Sequence, residues 1–321
     1  IMEEVPKNDL DVHPYGSTGV FEQEEAFIKE EQDEAARSEQ APLYDRDKLR
    51  KAQDAGLRML LEIDRLSEKY GFTYFLDAGT LLGAVRHEGF IPWDDDVDIA
   101  MPREDFEAFL AHKDELSEEF ELVMPWDYRE GRAFYDFTPR IIYLKSQRHQ
   151  GDEESSYYSG KLNHLWTDIF ILDEIPDNAF LDLITRFKQK VIYGMSMPRR
   201  YGIDFKKYGL MDKLRVGVLS LLGRAYPQDK LFELQDRLSK RYRGTGTKRV
   251  YYSNYQPDFM QVTLDKEWIR PGERLNFEGH ELSVPSDADA VLREIYGDYM
   301  KLPYKEKRIP SHHSEDIEIF E

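Results

Sequence analysis

Four carboxylates crowd residues 94–98 of this 321-residue chain: Asp94, Asp95, Asp96 and Asp98, in PWDDDVDIAM. The apolar Val97, Ile99 and Met101 between and after them predict a half-buried strand over 94–101. Alternate residues of a strand share a face, which sets Asp94, Asp96 and Asp98 side by side at about 6.5–7 Å. Asp95 then faces the other side or lies in the turn. Three like charges on one face repel and weaken a strand unless something compensates, and a hard divalent cation with oxygen ligands does so. A calcium loop of the EF-hand kind is excluded, because Ile99 and Asp105 stand where the turn glycine and the bidentate glutamate would be required. A solvated acidic edge is the other reading, and the apolar residues opposite argue against it. About fifteen residues upstream, Gly79-Thr80 forms a small-residue turn at a helix start, where backbone N–H groups can approach phosphate oxygens.

A Gly-Thr turn followed at this distance by an Asp-hydrophobic-Asp strand resembles the nucleotidyltransferase superfamily, in which the turn holds phosphates and the strand holds metal. A carboxylate from a neighbouring strand completes such sites. Asp168 in LWTDIFILD is the candidate, flanked by Leu165, Ile169 and Ile171, with Asp173 as second choice and a purely structural Asp168 as the plain alternative. The resemblance then narrows. GTLLGAVRHEGFIPWDDDVDIAMPREDFEAF, the helix leading into YFLDAGT, the WTDIFILD strand and PSDADAVLREIYGDYMKLP together resemble the LicD family of phosphocholine transferases, with the fukutin-related glycan-modifying enzymes more remote. The likeness covers residues 50–175 and, less fully, 275–303.

That resemblance implies a CDP-alcohol donor, CDP-choline first, with CMP leaving. It implies a hydroxyl acceptor on a teichoic acid or lipopolysaccharide-type glycan, or on a lipid-linked oligosaccharide. Asp96 and Asp98 would ligate Mg²⁺ (Mn²⁺ as the alternative ion), Asp94 joining directly or through water. Asp168 would be a further ligand or the base for the acceptor hydroxyl. The same residues also suit an enzyme that transfers the nucleotide itself to a small molecule or sugar. A non-enzymatic relative on a decayed site fits poorly, because the acidic positions and the glycine turn are intact.

Around this core, Arg86 either pairs with donor phosphate or anchors the following turn. Arg140 and Lys161 flank the site on predicted segments and could balance diphosphate charge, so Lys161 joins Gly79, Thr80 and Arg86 as a donor-binding candidate. His87 reads as a neutral tie within its loop, and Trp93 as packing of its turn. Tyr157, Tyr158 and the 296–299 group either line a base or alcohol pocket or pack the core.

These residues need elements to hold them. Helical spacing of Leu49, Ala52, Leu57, Leu60, Leu61, Ile63 and Leu66 predicts a helix over 47–70, ended by Gly71. Strands are expected at 72–77, 94–101, from 122, at 138–144 and at 165–172, with helices opening at 81 and 103. Residues 275–284 alternate about a Glu278-Gly279 turn, and Ser286 with Asp289 resembles a capping box for a helix to about 296. The alternation argues for an α/β (α+β) fold: a mixed-sheet core flanked by helices, nucleotidyltransferase-type by the resemblance, with a basic helical insertion. The expected organisation is an acidic arm (1–45), a catalytic core (46–180), a basic helical subdomain (181–255) and a C-terminal hairpin and helix completing the catalytic domain (256–321).

Composition bounds the partners. A net charge of −19 argues against a general nucleic-acid binder. The absence of cysteine excludes disulfides, thiol catalysis and Cys-ligated zinc. No apolar run approaches the roughly 20 residues of a membrane span, and the N-terminus lacks a signal-peptide pattern. The chain reads as cytoplasmic. Between 186 and 249 the charge inverts, to about 17 Lys and Arg against about 5 Asp and Glu. That stretch either packs on the core or meets anionic lipid or a polyanionic acceptor, a peripheral contact at the inner membrane face.

Overall fold

The computed structural model describes residues 44–148, 153–202, 210–257, 259–304, 307–310 and 317–320. All but the last two residues of the expected acidic arm lie outside these. Helix α1 (Arg46–Tyr70) starts where Asp45 accepts from the Asp47 and Lys48 N–H groups, and it stops at Gly71, whose left-handed backbone (φ 72°) closes onto the Ser67 carbonyl. Its buried stripe, including Leu49, Ala52, Leu60, Ile63 and Leu66, is the predicted one.

A seven-stranded mixed sheet forms the core. Its main path runs β1 (Phe75–Leu76), β2 (Val97–Pro102), β6 (Leu165–Ile175), β4 (Arg140–Tyr143), β3 (Phe120–Val123). Only β2 and β6 are parallel, the remaining pairs being antiparallel. β6 is long enough to pair twice along one edge. Its first half takes β4, and its second half takes β7 (Arg249–Tyr252), which β8 (Thr263–Asp265) extends. In the gap between β4 and β7 the Asn254 side chain continues the ladder, accepting from the Ile171 N–H and donating to the Ile169 carbonyl. A buried strand thereby keeps its backbone groups satisfied where no strand is available.

Short helices α2 (Ala78–His87) and α3 (Arg103–Ala111) follow β1 and β2. In chain order β5 (Ser146–Arg148) and α4 (Glu153–Tyr157) fall between β4 and β6. The basic region is helical as expected: α5 (Ala179–Ser196), α6 (Leu210–Arg224) and α7 (Gln228–Ser239). The C-terminal hairpin, β9 (Pro271–Phe277) and β10 (His280–Pro285), turns at Glu278 and Gly279, both at positive φ, as a tight hairpin demands. Helix α8 (Ala288–Tyr296) follows, and β11 (Ile317–Ile319) pairs with β5.

Three local expectations are corrected. Asp94, Asp95 and Asp96 precede β2 rather than lying in it. The strand expected at 72–77 shrinks to two residues, because the backbone turns at Asp77 into α2. The cap of α8 is Asp287, which accepts from the Ala290 N–H; Ser286 instead donates to the Glu267 and Trp268 carbonyls, and Asp289 pairs with Arg293.

Candidate active site

Strand register assembles the acids. Asp98 on β2 lies directly beside Asp168 on β6, and Asp168 lies opposite Arg140 on β4. On the other side, the Asp77 N–H donates to the Asp98 carbonyl at 3.1 Å. One row thus runs from Asp77, just past the end of β1, across three strands: Asp98, Asp168, Arg140. Because side chains alternate, Val97, Ile99, Thr167 and Ile169 point to the opposite face, where the Thr167 hydroxyl meets Met59 of α1.

Helix α2 begins against this row. Thr80 is buried and its hydroxyl accepts from the Asp98 N–H at 2.9 Å, tying the helix start to the acid strand. Gly79 is needed for space: a Cβ there would stand 2.7 Å from Asp94 Oδ2. Asp94 is thereby held against the first turn of α2, where N–H groups and helix dipole favour negative charge, and Gln53 fixes its backbone by donating to the Asp94 carbonyl.

The electrostatics are those of crowded carboxylates in a poorly solvated place. Burial, then the charges of Asp96, Asp168, Asp77 and Asp94, hold the Asp98 carboxyl well above the usual range. Asp77 is pushed up to about 6 by burial, against hydrogen bonds from the Tyr252 hydroxyl and the Ala78 N–H. Asp168 is also pushed up to about 6, by burial against the pull of Arg140, with Asp136 and Asp96 adding repulsion. Its side chain remains 25% exposed. Arg140 is buried and grips Asp136 through both terminal nitrogens, at 2.9 and 2.6 Å. Its Nε stands 2.8 Å from Asp168 Oδ1, but out of hydrogen-bond alignment, so this contact is an ion pair only. Trp166 reaches the other oxygen at 3.4 Å. The hydroxyls of Tyr255 and Tyr296 are held above their ordinary range by burial and then by this acid group, although Tyr296 is 44% exposed.

The structure thus brings Asp94, Asp96, Asp98, Asp168, Gly79 and Thr80 to one place, and parts two other candidates from it. Arg86 is buried, donating to the Tyr299 carbonyl and to His87, so it joins α2 to the C-terminal segment. Lys161 binds Glu121 on the edge strand β3, two strands beyond β6. The second-choice acid, Asp173, is spent in a buried pair with Arg103 and accepts from Ser253. Tyr157 and Tyr158 pack in an aromatic cluster with Tyr128 and Tyr135, which meets the row at its Arg140 end, where the guanidinium lies over the Tyr135 ring. Sequence reasoning missed Asp77, Asp136, Tyr252 and Tyr255. Asp77 had a signal, as the residue joining a strand to the Gly-Thr helix start; the other three stand outside any motif.

Among the described residues no three His, Asp or Glu side chains form a ready-made metal-ligand group. The donor chemistry nevertheless fits a hard cation: β2 and β6 present Asp98 and Asp168 side by side, and the carboxylates gathered there repel one another at Asp98.

Residues 71–196 match the LicD/FKTN/FKRP nucleotidyltransferase-domain family. That match takes in strands β1, β2, β3, β4 and β6 and the acidic row, while β7 and β8 of the same sheet lie beyond it. Over 281 residues the chain is 28% identical to the lipopolysaccharide cholinephosphotransferase LicD of Haemophilus influenzae, spanning 82% of this chain and 96% of that protein. An uncharacterized protein of Rickettsia prowazekii is 29% identical over 126 residues, 39% of this chain and 41% of its own. One of Rickettsia typhi is 46% identical over 48 residues, 15% and 16% respectively.

Proposed function

We propose that this protein is a phosphotransferase that moves a phosphorylated alcohol, phosphocholine first, from a CDP-alcohol to a glycan hydroxyl, with Mg²⁺ as cofactor. The carrying observation is the register of Asp98 beside Asp168 next to the start of α2. The similarity to a lipopolysaccharide cholinephosphotransferase along nearly its whole length supports the same reading. The acceptor in this proposal is a lipopolysaccharide- or teichoic-type glycan or its lipid-linked precursor, met on the cytoplasmic side of the membrane.

In this reading Asp96 and Asp98 hold the cation, Asp94 and Asp168 completing the oxygen set. Once bound, the ion supplies charge neutralisation for the diphosphate. The chain's own residues do the rest. Backbone N–H groups of Gly79 and Thr80 receive phosphate oxygens at the α2 start. The acceptor oxygen attacks the phosphorus bearing the alcohol, the bond to the CMP phosphate breaks, and CMP leaves. The hydroxyl proton passes to Asp168, which lies beside Asp98 in register and keeps part of its side chain exposed. The carboxylates aligned there, Asp77, Asp98 and Asp168, favour a cationic alcohol such as choline over ribitol or glycerol.

The test is thermal stabilisation by CDP-choline, CDP-ribitol, CDP-glycerol and ATP, each with and without Mg²⁺. Stabilisation by one CDP-alcohol that requires Mg²⁺ is expected. Stabilisation by ATP with indifference to every CDP compound would sink the proposal in favour of nucleotide transfer.

A further inference from the structure

Phe180, Phe187 and Gly194 recur every seven residues along α5 and so share one face of the helix. Its other face, with Thr185, Gln189, Ile192 and Ser196, is buried, and Gln189 donates to the Tyr251 hydroxyl on β7. At Gly194 the outer face is covered by α6: a Cβ there would lie 2.5 Å from Leu219, and one on Gly223 would strike the Met195 backbone. Two turns earlier, among the described residues, Phe180, Leu183 and Phe187 are 67%, 66% and 65% exposed. That is far beyond the scattered apolar residues of an ordinary surface. The stripe continues into a groove between α5 and α7 walled by Phe187, Val191, Leu234 and Leu238. Helix α6 adds Leu221, 70% exposed, and Leu222, 54%.

Cations edge this apolar surface. Lys188, Arg237 and Arg241 line the groove. Among the described residues, neither Lys188 nor Arg237 has a carboxylate partner, because the nearby acids are engaged elsewhere: Asp182 with Arg186 and Arg249, Glu233 with Lys230, Asp236 with Lys240 and Arg103. An unopposed positive rim on a chain of net charge −19 selects an anionic partner.

We infer that the open face of α5, the α5–α7 groove and the outer side of α6 form the surface by which this protein lies on an anionic lipid bilayer. Aromatic and aliphatic side chains enter the acyl boundary while Lys188, Arg237 and Arg241 meet headgroup phosphates. A rigid partner would need a shape matched to two stacked helices; a fluid bilayer needs only that they project outward. No described helix is long and apolar enough to cross a membrane, so the contact is with one leaflet. Its purpose, delivery to a lipid-carried acceptor, rests on the proposed function; the contact itself does not.

The test is flotation of the full chain with vesicles of phosphatidylcholine alone or with about one-third phosphatidylglycerol. Binding is expected only to the anionic vesicles. K188Q/R237Q/R241Q should weaken it about 100-fold, at about fivefold per charge. F180S/L183S/F187S should leave a weak association that moderate salt abolishes. All six positions are at the surface, so unchanged melting and elution confirm that each variant is folded. Failure of the intact chain to bind anionic vesicles overturns the proposal, as does equal binding to both vesicles with the basic variant unaffected. A dimer that F180S/L183S/F187S dissociates also overturns it, giving the face to a second copy. The vesicles carry neither donor nor acceptor, so the outcome is independent of the catalytic reading.

Discussion

Asp98 carries the sharpest conflict between stability and function. Its charge is opposed by burial and then by Asp96, Asp168, Asp77 and Asp94. Neutralising it should therefore stabilise the metal-free protein while removing a proposed ligand. Asp98→Asn is expected to raise the melting temperature in EDTA by a few degrees and to lower transfer by roughly a thousandfold. Unchanged turnover would remove Asp98 from the proposed ligand set. Arg140 behaves oppositely. It is the buried counter-charge to both Asp136 and Asp168, so Arg140→Met should cost about 3–5 kcal/mol by leaving those carboxylates unpaired, measured as a lowered denaturation midpoint. These two residues also differ in legibility. Asp98 stood out because its neighbours in sequence were also acids. Arg140 stood near the site by sequence, but its work depends on Asp136 and Asp168, which the chain brings to it from either side.

At the scale of elements, glycines in α2 separate a site role from a folding role. Gly79 gives room to a carboxylate end that can rotate away, whereas Gly83 packs against the backbone, a Cβ there falling 2.4 Å from the Gly89 carbonyl. Gly79→Ala should leave the melting temperature within about a degree and displace Asp94 from the helix start, reducing donor affinity in a binding titration. Gly83→Ala should instead lose about 2 kcal/mol or more of stability, and an unaltered melt would refute the close contact. Periodicity revealed α1, the hairpin and the helix order, because those patterns are local. It misplaced the start of β2 and undershot β6, whose last turns of pairing come from β7, some 75 residues downstream. Strand limits depend on partners remote in sequence, and Asn254, completing the β6 ladder with its side chain, has no sequence pattern to announce it.

For the whole molecule the acid row predicts how stability answers to pH and to Mg²⁺. Asp77 and Asp168, pushed up to about 6 from the ordinary value of 3.8, bind protons more tightly folded than unfolded. Their contribution to stability is fully present below about pH 4 and is lost as pH rises through about 6. Each two-unit elevation corresponds to on the order of 2–3 kcal/mol. Carboxylates held low by partners, such as Glu62 with Arg65 and Glu107 with Lys240, work the other way, but their titration lies below about pH 4.5. The interval from pH 5 to 7.5 therefore reads the acid row together with Asp105, which burial also holds above the ordinary carboxylate value. In EDTA the protein should melt several degrees lower at pH 7.5 than at pH 5. A divalent cation offsets the very repulsion that appears on ionisation, so Mg²⁺ should raise the melting temperature strongly at pH 7.5 and little at pH 5, where protons compete for the same oxygens. A magnesium response equal at both pH values would mean that the ion binds elsewhere, and an EDTA melt that climbs between pH 5 and 7.5 would mean that the row is not under electrostatic strain.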